Sequence, residues 1–343
     1  MDIKSLQEVR DYSPDPARCL FSANHDEIKS GLTTDIYFLK TREMLREAEL
    51  ENRKVVAEVF PSQAGYLAGM KELCSLLSDK SVRLWGLREG QAFDKKEVIL
   101  RIEGCYDDFG IFETAMLGIL ASSSAWATAA RECCLAAGDR DLLSFGARHI
   151  HPAVAPVMER AAIVGGADGA SCILGAKLMG TEPMGTIPHA AILIIGDTVR
   201  ASHIYDQTMP PEAPRIILVD TFKDEAEEVL RVAESMEDKL EGVRLDTPSE
   251  RGGVTPFLVK ECRARLDQKG YNDVKIVVSG GLNPERIKEL QKAGADAFGV
   301  GSYIANATPI NMTMDIKEVE GKPLAKRGRI PGRTDNNRLQ LLR

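Results

Sequence analysis

The sequence lacks the long apolar run that a membrane span requires, and its amino terminus shows no apolar segment of the kind that directs secretion. An excess of positive charge is also lacking, because 44 Lys and Arg against 51 Asp and Glu give a formal net charge of -7 at pH 7. That balance argues against a protein that follows nucleic-acid phosphates, although local basic clusters can still bind a small phosphorylated ligand. We therefore expect a cytoplasmic protein that binds neither membranes nor nucleic acid.

Paired metal-binding cysteines are missing as well. The seven cysteines include no CxxC pair and no histidine at ligand spacing, which argues against structural zinc. Reduced thiols in a cytoplasmic enzyme are the expected state. With 44% hydrophobic residues, the 343-residue chain can bury a sizeable core, and it is long enough for two domains or a barrel with an appended piece.

The secondary-structure pattern changes along the chain. Residues 1 to about 105 mix helices and strands, including a helix predicted over Gly65 to Leu77, and the Ala-rich segment 109–137 predicts a long helix. From about residue 140, short apolar runs alternate with helices in units of about 25 to 30 residues. Such βα units predict a parallel sheet, for which a closed α/β barrel is the natural arrangement. In these barrels the carboxyl ends of the strands form the active site.

One imidazole lies in a segment whose backbone is constrained by glycine and proline. The segment Gly185-Thr-Ile-Pro-His189 precedes an apolar run, and a histidine can act near neutral pH as a nucleophile, a base or a metal ligand. A histidine that only caps a helix gives the same pattern. Asp220 ends a predicted strand, where its carboxylate can accept a hydrogen bond from His189 and leave the other ring nitrogen free.

Two consecutive predicted strands end in glycine pairs. Gly280 and Gly281 follow the first strand and precede a helix that opens at Pro284, while Gly299 and Gly301 end the next strand. Glycine lets backbone N–H groups approach an anion closely, and a helix amino terminus favours negative charge. An ordinary tight turn explains one such end, whereas two in succession favour binding of a sugar phosphate.

Charged and aromatic side chains follow other predicted strands. Arg244 and Asp246 flank Leu245, so both point to the same side of their strand and can hold ribose hydroxyls and phosphate, or pair with each other. Phe145 and Arg148 share one loop, where stacking and a charge-assisted contact suit an electron-poor aromatic ring that bears a carboxylate. A core phenylalanine beside a solvated arginine is the alternative.

These motifs belong to a longer ordered set. In chain order the segments are Gly31-Leu-Thr-Thr-Asp-Ile-Tyr37, Phe145-Gly-Ala-Arg148, Asp168-Gly-Ala-Ser171, Gly185-Thr-Ile-Pro-His189, Leu218-Val-Asp-Thr221, Arg244-Leu-Asp246, Ser279-Gly-Gly281, Gly299-Val-Gly301 and Lys326-Arg-Gly-Arg329. Together they resemble the nicotinate phosphoribosyltransferase family over nearly the whole chain. The resemblance implies a type II phosphoribosyltransferase.

The fold and the reaction follow as implications of this resemblance. The fold is an irregular TIM-like α/β barrel with an N-terminal α+β sandwich domain: residues 1–108 form the sandwich, 109–310 the barrel, and 311–343 a basic tail that packs back on the N-terminal domain. The reaction joins nicotinate to phosphoribosyl pyrophosphate, coupled to ATP hydrolysis, and yields nicotinate mononucleotide and pyrophosphate for NAD biosynthesis. Mg²⁺ and a homo-oligomer, at least a dimer with shared active sites, are also implied.

The resemblance assigns roles to individual residues. His189 is transiently phosphorylated by ATP and is oriented by Asp220. The base site consists of Phe145 and a neighbouring subunit's Tyr37 on the two faces of the pyridine ring, with Arg148 and Ser171 at its carboxylate. The phosphoribosyl and phosphate site consists of Thr186, Arg244, Asp246, Gly280, Gly281, Gly299 and Gly301.

Three other functions compete with this interpretation. Asp168 resembles the carboxylate with which nicotinamide-using relatives accept the amide N–H groups, which makes a nicotinamide phosphoribosyltransferase the nearest alternative. Quinolinate phosphoribosyltransferase shares the fold, but its substrate has two carboxylates and needs a denser cationic pocket, and it has no use for a phosphorylated histidine. A non-catalytic phosphate-sugar binding protein on the same barrel is the alternative from a different class.

Overall fold

The computed structural model describes residues 3–343, which divide into two compact units. The first unit comprises residues 3–128 and 308–343, and the second comprises residues 129–307. The sequence places the corresponding boundaries after residues 108 and 310. Among the helices of residues 3–343, none combines the length and the apolar character needed to cross a membrane.

Helices and strands alternate over most of the described chain. The helices are α1 (Leu6–Asp11), α2 (His25–Lys29), α3 (Ile36–Glu47), α4 (Met70–Leu76), α5 (Tyr106–Phe109), α6 (Glu113–Ala137), α7 (Ala155–Val164), α8 (Ile173–Lys177), α9 (His189–Ile195), α10 (Thr198–Thr208), α11 (Glu225–Met236), α12 (Pro256–Gln268), α13 (Pro284–Ala293) and α14 (Ser302–Ala305). The strands are β1 (Lys54–Pro61), β2 (Gly65–Tyr66), β3 (Arg83–Gly86), β4 (Ala92–Phe93), β5 (Leu100–Cys105), β6 (Asp141–Ser144), β7 (Gly169–Ala170), β8 (Ile216–Leu218), β9 (Gly242–Leu245), β10 (Lys275–Ser279), β11 (Ala297–Val300), β12 (Met312–Val319), β13 (Lys322–Pro323) and β14 (Gln340–Leu341).

The first unit is built on an antiparallel sheet in the order β13-β12-β1-β5-β3-β14. Every residue of β1 after Lys54 is buried, including Glu58. Burying a carboxylate is costly unless it is paired, and Glu58 forms an ion pair of 2.7 Å with Arg101 on β5. The backbone N–H of Thr334 also donates to Glu58, at 3.1 Å. The carboxy-terminal segment therefore packs on this sheet.

The helix predicted over Gly65 to Leu77 begins later than the sequence indicates. Gly65 belongs to β2, and α4 begins at Met70 after Gly69, whose φ of 89° is a conformation that glycine adopts readily. A β-carbon on Gly65 would lie 2.7 Å from the Cδ1 atom of Ile310. The segment is extended because it packs against a part of the chain that is distant in sequence, which a local pattern cannot show.

The second unit is built on a parallel sheet in the order β7-β6-β11-β10-β9-β8, which confirms the predicted parallel sheet. Within residues 3–343, β7 and β8 end this order and do not pair with each other, so closure into a barrel stays a prediction. The carboxyl ends of parallel strands lie along one edge of a sheet. The residues that directly follow or lie just beyond these ends are Phe145, Ser171, Asp220, Asp246, Gly280 and Gly301.

Helix α11 shows why the intervening segments are helical. The Asp224 side chain caps its amino terminus by accepting a hydrogen bond of 3.2 Å from the N–H of Ala226. The apolar residues recur every three or four positions and form one buried face: Ala226, Val229, Val232, Ala233 and Met236. This face packs α11 between its neighbours α10 and α12 in the second unit.

A partly buried carboxyl group at the start of α6 makes the first unit sensitive to pH. Burial, with repulsion from Asp315, raises the pKa of Glu113 to about 7, against the opposing effect of Lys326. The protonated form therefore stabilises the fold below the unfolded pKa, and this stability is lost as the pH rises through about 7.

We expect Glu113→Gln to be more stable than the wild type at about pH 8 by about 1 kcal/mol, because solvent screens part of the full effect. The difference should shrink toward about pH 5, and urea unfolding at both pH values measures it. Glu47→Gln, at an exposed position on α3, is the control. If the free energies of unfolding of the wild type and Glu113→Gln changed in parallel with pH, the raised pKa of Glu113 would be contradicted.

Candidate active site

The imidazole of His189 and the carboxylate of Asp220 are in direct contact. His189 is the first residue of α9, after Pro188 in an extended conformation, and its Nε2 atom lies 3.0 Å from Asp220 Oδ2. A carboxylate only accepts, so Nε2 carries the donated proton and the neutral ring keeps a lone pair on Nδ1. The hydrogen bond predicted from the sequence is confirmed.

Asp220 is held in a dry environment. Its side chain is fully buried, whereas the His189 ring is 37% exposed. Burial raises the pKa of Asp220, and the hydrogen bond from His189 partly opposes that shift. Its Oδ1 atom is buried without a hydrogen bond to any residue of the described chain. The pair therefore joins a solvent-accessible ring to a buried carboxyl group, and such a pairing can activate a histidine as a nucleophile.

The guanidinium of Arg244 is the centre of a second cluster. It donates to Ser279 Oγ, to Thr186 Oγ1 and to Asp246 Oδ2, each at 2.9 Å. Ser279 Oγ in turn donates to Asp246 Oδ1 at 2.8 Å. Arg244 and Asp246 thus pair with each other, which is the alternative that the sequence left open, and their contact with ribose and phosphate stays a prediction. Because Thr186 lies only three residues before His189, the cluster and the histidine are joined by one short loop.

The glycine pair after β10 forms a turn that other residues cannot form without strain. Gly280 has φ 90° and Gly281 has φ 58°, and a β-carbon on Gly280 would lie 3.1 Å from Asp246 Oδ1. Helix α13 follows, with the Asn283 side chain accepting the N–H of Arg286 at 2.9 Å. The turn thus brings a glycine backbone and a helix amino terminus to the edge that carries Asp246, as an anion site requires.

Phe145 packs directly on Gly299. A β-carbon on Gly299 would lie 2.3 Å from Phe145 Cε2, and one on Gly301 would lie 2.9 Å from the Phe145 carbonyl oxygen. The Phe145 N–H donates to the Val300 carbonyl at 2.8 Å, and the Arg244 guanidinium lies 5.4 Å from the Phe145 ring centre. Gly299 thus makes room for an aromatic ring, a use different from the predicted phosphate contact.

Arg148 and Tyr37 are both exposed. Arg148 lies in the short 3-10 turn Ala147–His149 that follows Phe145, and its guanidinium has no hydrogen bond or ion pair with residues 3–343. Tyr37 belongs to the first unit, near the start of α3, where 55% of it is exposed and its hydroxyl donates to Asp35 Oδ2 at 3.1 Å. Arg148 is therefore a cation available to a ligand, and Tyr37 is a ring available to a partner.

Asp168 lies away from these residues. It precedes β7, where its carboxylate accepts the N–H of Leu142 at 2.8 Å and its own N–H donates to the Leu142 carbonyl at 2.9 Å. This places Asp168 at the amino ends of β6 and β7. Ser171 follows the carboxyl end of β7, and its N–H donates to the Ser144 carbonyl at 3.0 Å. The structure therefore brings Ser171, and not Asp168, to the edge that carries Phe145.

We expect Asp168→Ala to leave the preference among pyridine bases unchanged within about twofold, while lowering the free energy of unfolding by about 1 to 2 kcal/mol. The cost arises because the Leu142 N–H loses its acceptor. Asp168→Asn keeps an acceptor oxygen and is the matched control. Steady-state kinetics and urea unfolding measure the two effects. A changed base preference in Asp168→Ala would indicate that Asp168 belongs to the base site.

Glu159, a fully buried carboxylate on α7, was not predicted from the sequence. Five neutral groups donate to it: the N–H groups of Gly146, Ala147 and Cys172 and the hydroxyl groups of Ser144 and Ser171. The available signal was an acidic residue inside the apolar helix Ala155–Val164. That signal marks a buried charge, but it does not identify loop backbones as its partners.

Comparison with known proteins places this fold and site in one family. The model of the quinolinate phosphoribosyl transferase C-terminal domain matches residues 126–315, and the model of the corresponding N-terminal domain matches residues 35–124. The chain therefore belongs to the quinolinate phosphoribosyl transferase family.

The similar proteins are named either nicotinate-nucleotide pyrophosphorylase or nicotinate phosphoribosyltransferase. The chain is 47% identical to nicotinate-nucleotide pyrophosphorylase from Pyrococcus furiosus, with a TM-score of 0.88 over 92% of this chain and 82% of that one. It is 27% identical to nicotinate phosphoribosyltransferase from Bacillus subtilis over 81% of this chain and 64% of the relative. Human nicotinic acid phosphoribosyltransferase, at 18% identity and a TM-score of 0.72 over 88% and 77% of the two chains, shares the fold. The chain thus spans less than two thirds of the Bacillus relative's length.

Proposed function

We propose that this protein is an ATP-coupled nicotinate phosphoribosyltransferase, which forms nicotinate mononucleotide and pyrophosphate from nicotinate and phosphoribosyl pyrophosphate in NAD biosynthesis. The observation that carries the proposal is the 3.0 Å contact between His189 Nε2 and Asp220 Oδ2, which in the neutral ring leaves the Nδ1 lone pair free on an accessible side chain. A phosphoribosyltransferase that does not use ATP, or a protein that only binds sugar phosphates, has no need of such a nucleophile.

In the phosphorylation step, the Nδ1 lone pair of His189 attacks the γ-phosphorus of ATP. The N–P bond forms as the bond to the bridging oxygen breaks, and ADP leaves with that oxygen. The ring becomes cationic during this step, and the buried Asp220 carboxylate stabilises the cation through Nε2–H. Hydrolysis of the phosphohistidine later returns the free ring and phosphate.

In the transfer step, the pyridine nitrogen attacks C1 of the ribosyl group as the bond to pyrophosphate breaks. The nitrogen is already unprotonated, so the reaction needs no general base, and catalysis rests on positioning and charge neutralisation. The Arg244, Asp246 and Thr186 cluster fits ribose and phosphate oxygens, and the glycine turn at Gly280 and Gly281 fits the 5-phosphate.

Mg²⁺ belongs to the substrate in this proposal. Pyrophosphate oxygens are suitable ligands for Mg²⁺, which binds proteins through one or two carboxylates and keeps several waters. Within the described residues no group of three or more His, Cys, Asp or Glu side chains is arranged to hold a metal. A single carboxylate such as Asp246 fits that limited role.

The base site favours a ring with one carboxylate. Arg148 follows Phe145 and is free to form a bidentate contact, and Ser171 lies at the same edge of the sheet. The segment 145–149 supplies one arginine, whereas quinolinate carries a second carboxylate that would also need a cation. Asp168, the feature that favoured nicotinamide, lies at the opposite ends of the strands. Tyr37 is proposed to cover the other face of the ring in a homo-oligomer with shared active sites.

Quinolinate use is the second candidate, because both family models that match the chain carry quinolinate in their names. Turnover with nicotinate, quinolinate and nicotinamide, each with phosphoribosyl pyrophosphate and with and without ATP, tests the choice. We expect a preference for nicotinate of about a hundredfold or more, since an unmatched buried charge or polar group costs several kcal/mol. Conversion of quinolinate with release of CO₂, at a rate independent of ATP, would replace the proposal.

A further inference from the structure

Glu159 is a buried charge that no step of the proposed reaction uses. Its side chain lies in the middle of α7 and is inaccessible to solvent. A buried carboxylate persists only where donors compensate it, and here backbone N–H and hydroxyl groups do so. Helix α7 itself does not require these donors. They come from two separate segments of chain, which the carboxylate holds together.

The two segments that Glu159 joins are those that carry the proposed base site. Oε1 accepts from the N–H groups of Gly146 at 3.0 Å and Ala147 at 3.2 Å, between Phe145 and Arg148. The same oxygen accepts from the Ser144 and Ser171 hydroxyls at 3.4 and 3.3 Å. Oε2 accepts from the Cys172 N–H at 2.5 Å. One carboxylate thus sets the distance between the loop that carries Phe145 and Arg148 and the loop that begins at Ser171.

We propose that Glu159 is the positioning residue of the base site: by binding both loops, it fixes Phe145 and Arg148 relative to Ser171 and so sets the affinity for the pyridine carboxylate. The inference rests on the proposed function for the identity of the base. It concerns neither the phosphorylation of His189 nor the grip on the ribosyl phosphate, because none of Glu159's five donors belongs to those clusters.

The test is Glu159→Gln, which keeps the shape but replaces one acceptor oxygen with a donor. The amide NH₂ then faces N–H groups or hydroxyls, so one loop loses its anchor. We expect KM for the base to rise about tenfold, with KM for phosphoribosyl pyrophosphate and the rate of ATP-dependent phosphorylation within about twofold of the wild type. Amide hydrogen exchange should become faster at Gly146, Ala147 and Cys172.

Two further variants keep the result interpretable. Glu228→Gln is the matched control, since Glu228 is also a fully buried glutamate of the second unit but pairs with Arg231, and it should leave KM for the base unchanged. If Glu159→Gln does not fold, Ser144→Ala removes one donor at lower cost and should raise KM for the base by about threefold.

Equal rises in both KM values, or an unchanged KM for the base with unchanged exchange, would overturn the positioning role. The wild-type assay separates this outcome from failure of the proposed function. If the wild type converts quinolinate instead of nicotinate, the proposed function fails, and KM for quinolinate then tests Glu159 with the same variants.

Discussion

Replacing His189 with alanine should reduce ATP hydrolysis by about a thousandfold or more, while slow, uncoupled phosphoribosyl transfer remains measurable. In the proposed mechanism the side chain is the nucleophile of the phosphorylation step, and no other group on the described chain duplicates its pairing with the buried Asp220. The same proposal assigns the ribosyl phosphate and the base to other residues, so their binding should persist. Separate assays of ADP and nicotinate mononucleotide formation measure the two activities.

His203→Ala is the matched control. His203 lies on α10 of the same unit and contacts the Ser235 hydroxyl at 2.7 Å, without a carboxylate partner. This variant should keep both activities. A His189→Ala protein that is folded and hydrolyses ATP at the wild-type rate would contradict the proposed nucleophile. A folded His189→Ala protein with no ribosyl transfer at all would contradict the separation between phosphorylation and substrate binding.

Gly299→Ala should raise KM for the base at least tenfold and lower the free energy of unfolding by about 1 to 3 kcal/mol. The added methyl group would lie 2.3 Å from Phe145 Cε2, a distance that forces the ring to move. Phe145 then shifts from the position in which it is proposed to stack on the pyridine ring. Steady-state kinetics measure the first effect, and urea unfolding measures the second.

The control for this substitution is Gly118→Ala. Gly118 lies on α6 with open space around its α-carbon, so alanine there should be neutral or stabilising by about 0.5 to 1 kcal/mol. A double-mutant cycle with Phe145→Ala adds a second check, because removing the ring removes the clash. If the effects of Gly299→Ala and Phe145→Ala on base binding simply add, the contact does not explain the loss.

The sequence predicts the parts of the site that depend on strand order. Asp220 lies just beyond the carboxyl end of a parallel strand, where polar residues meet, and its hydrogen bond with His189 could be anticipated for that reason. The contact of Arg244 with Asp246 was one of two possibilities that follow from alternation about Leu245. The same reasoning predicts the parallel sheet of the second unit. The parallel sheet could be predicted because alternating apolar runs and helical segments are recognisable from neighbouring residues alone.

The sequence fails where a residue's place depends on packing between distant segments. Asp168 shares a motif with Ser171, but the two residues of β7 lie between them, so they are at opposite ends of that strand. A sequence motif does not state at which end each residue lies. Glu159 could not be assigned because its partners are mostly loop backbones, which all residue types provide. Gly65 is extended for a similar reason, since Ile310 fills the space beside it.

We propose above all that His189 accepts a phosphoryl group from ATP and that this couples ATP hydrolysis to nicotinate phosphoribosyl transfer. The most direct measurement is incubation of the wild-type protein with γ-labelled ATP, followed by location of the label and its discharge on adding nicotinate and phosphoribosyl pyrophosphate. We expect label on Nδ1 of His189, released as phosphate when both substrates are present. A protein that stays unlabelled while it forms nicotinate mononucleotide at a rate independent of ATP would contradict it.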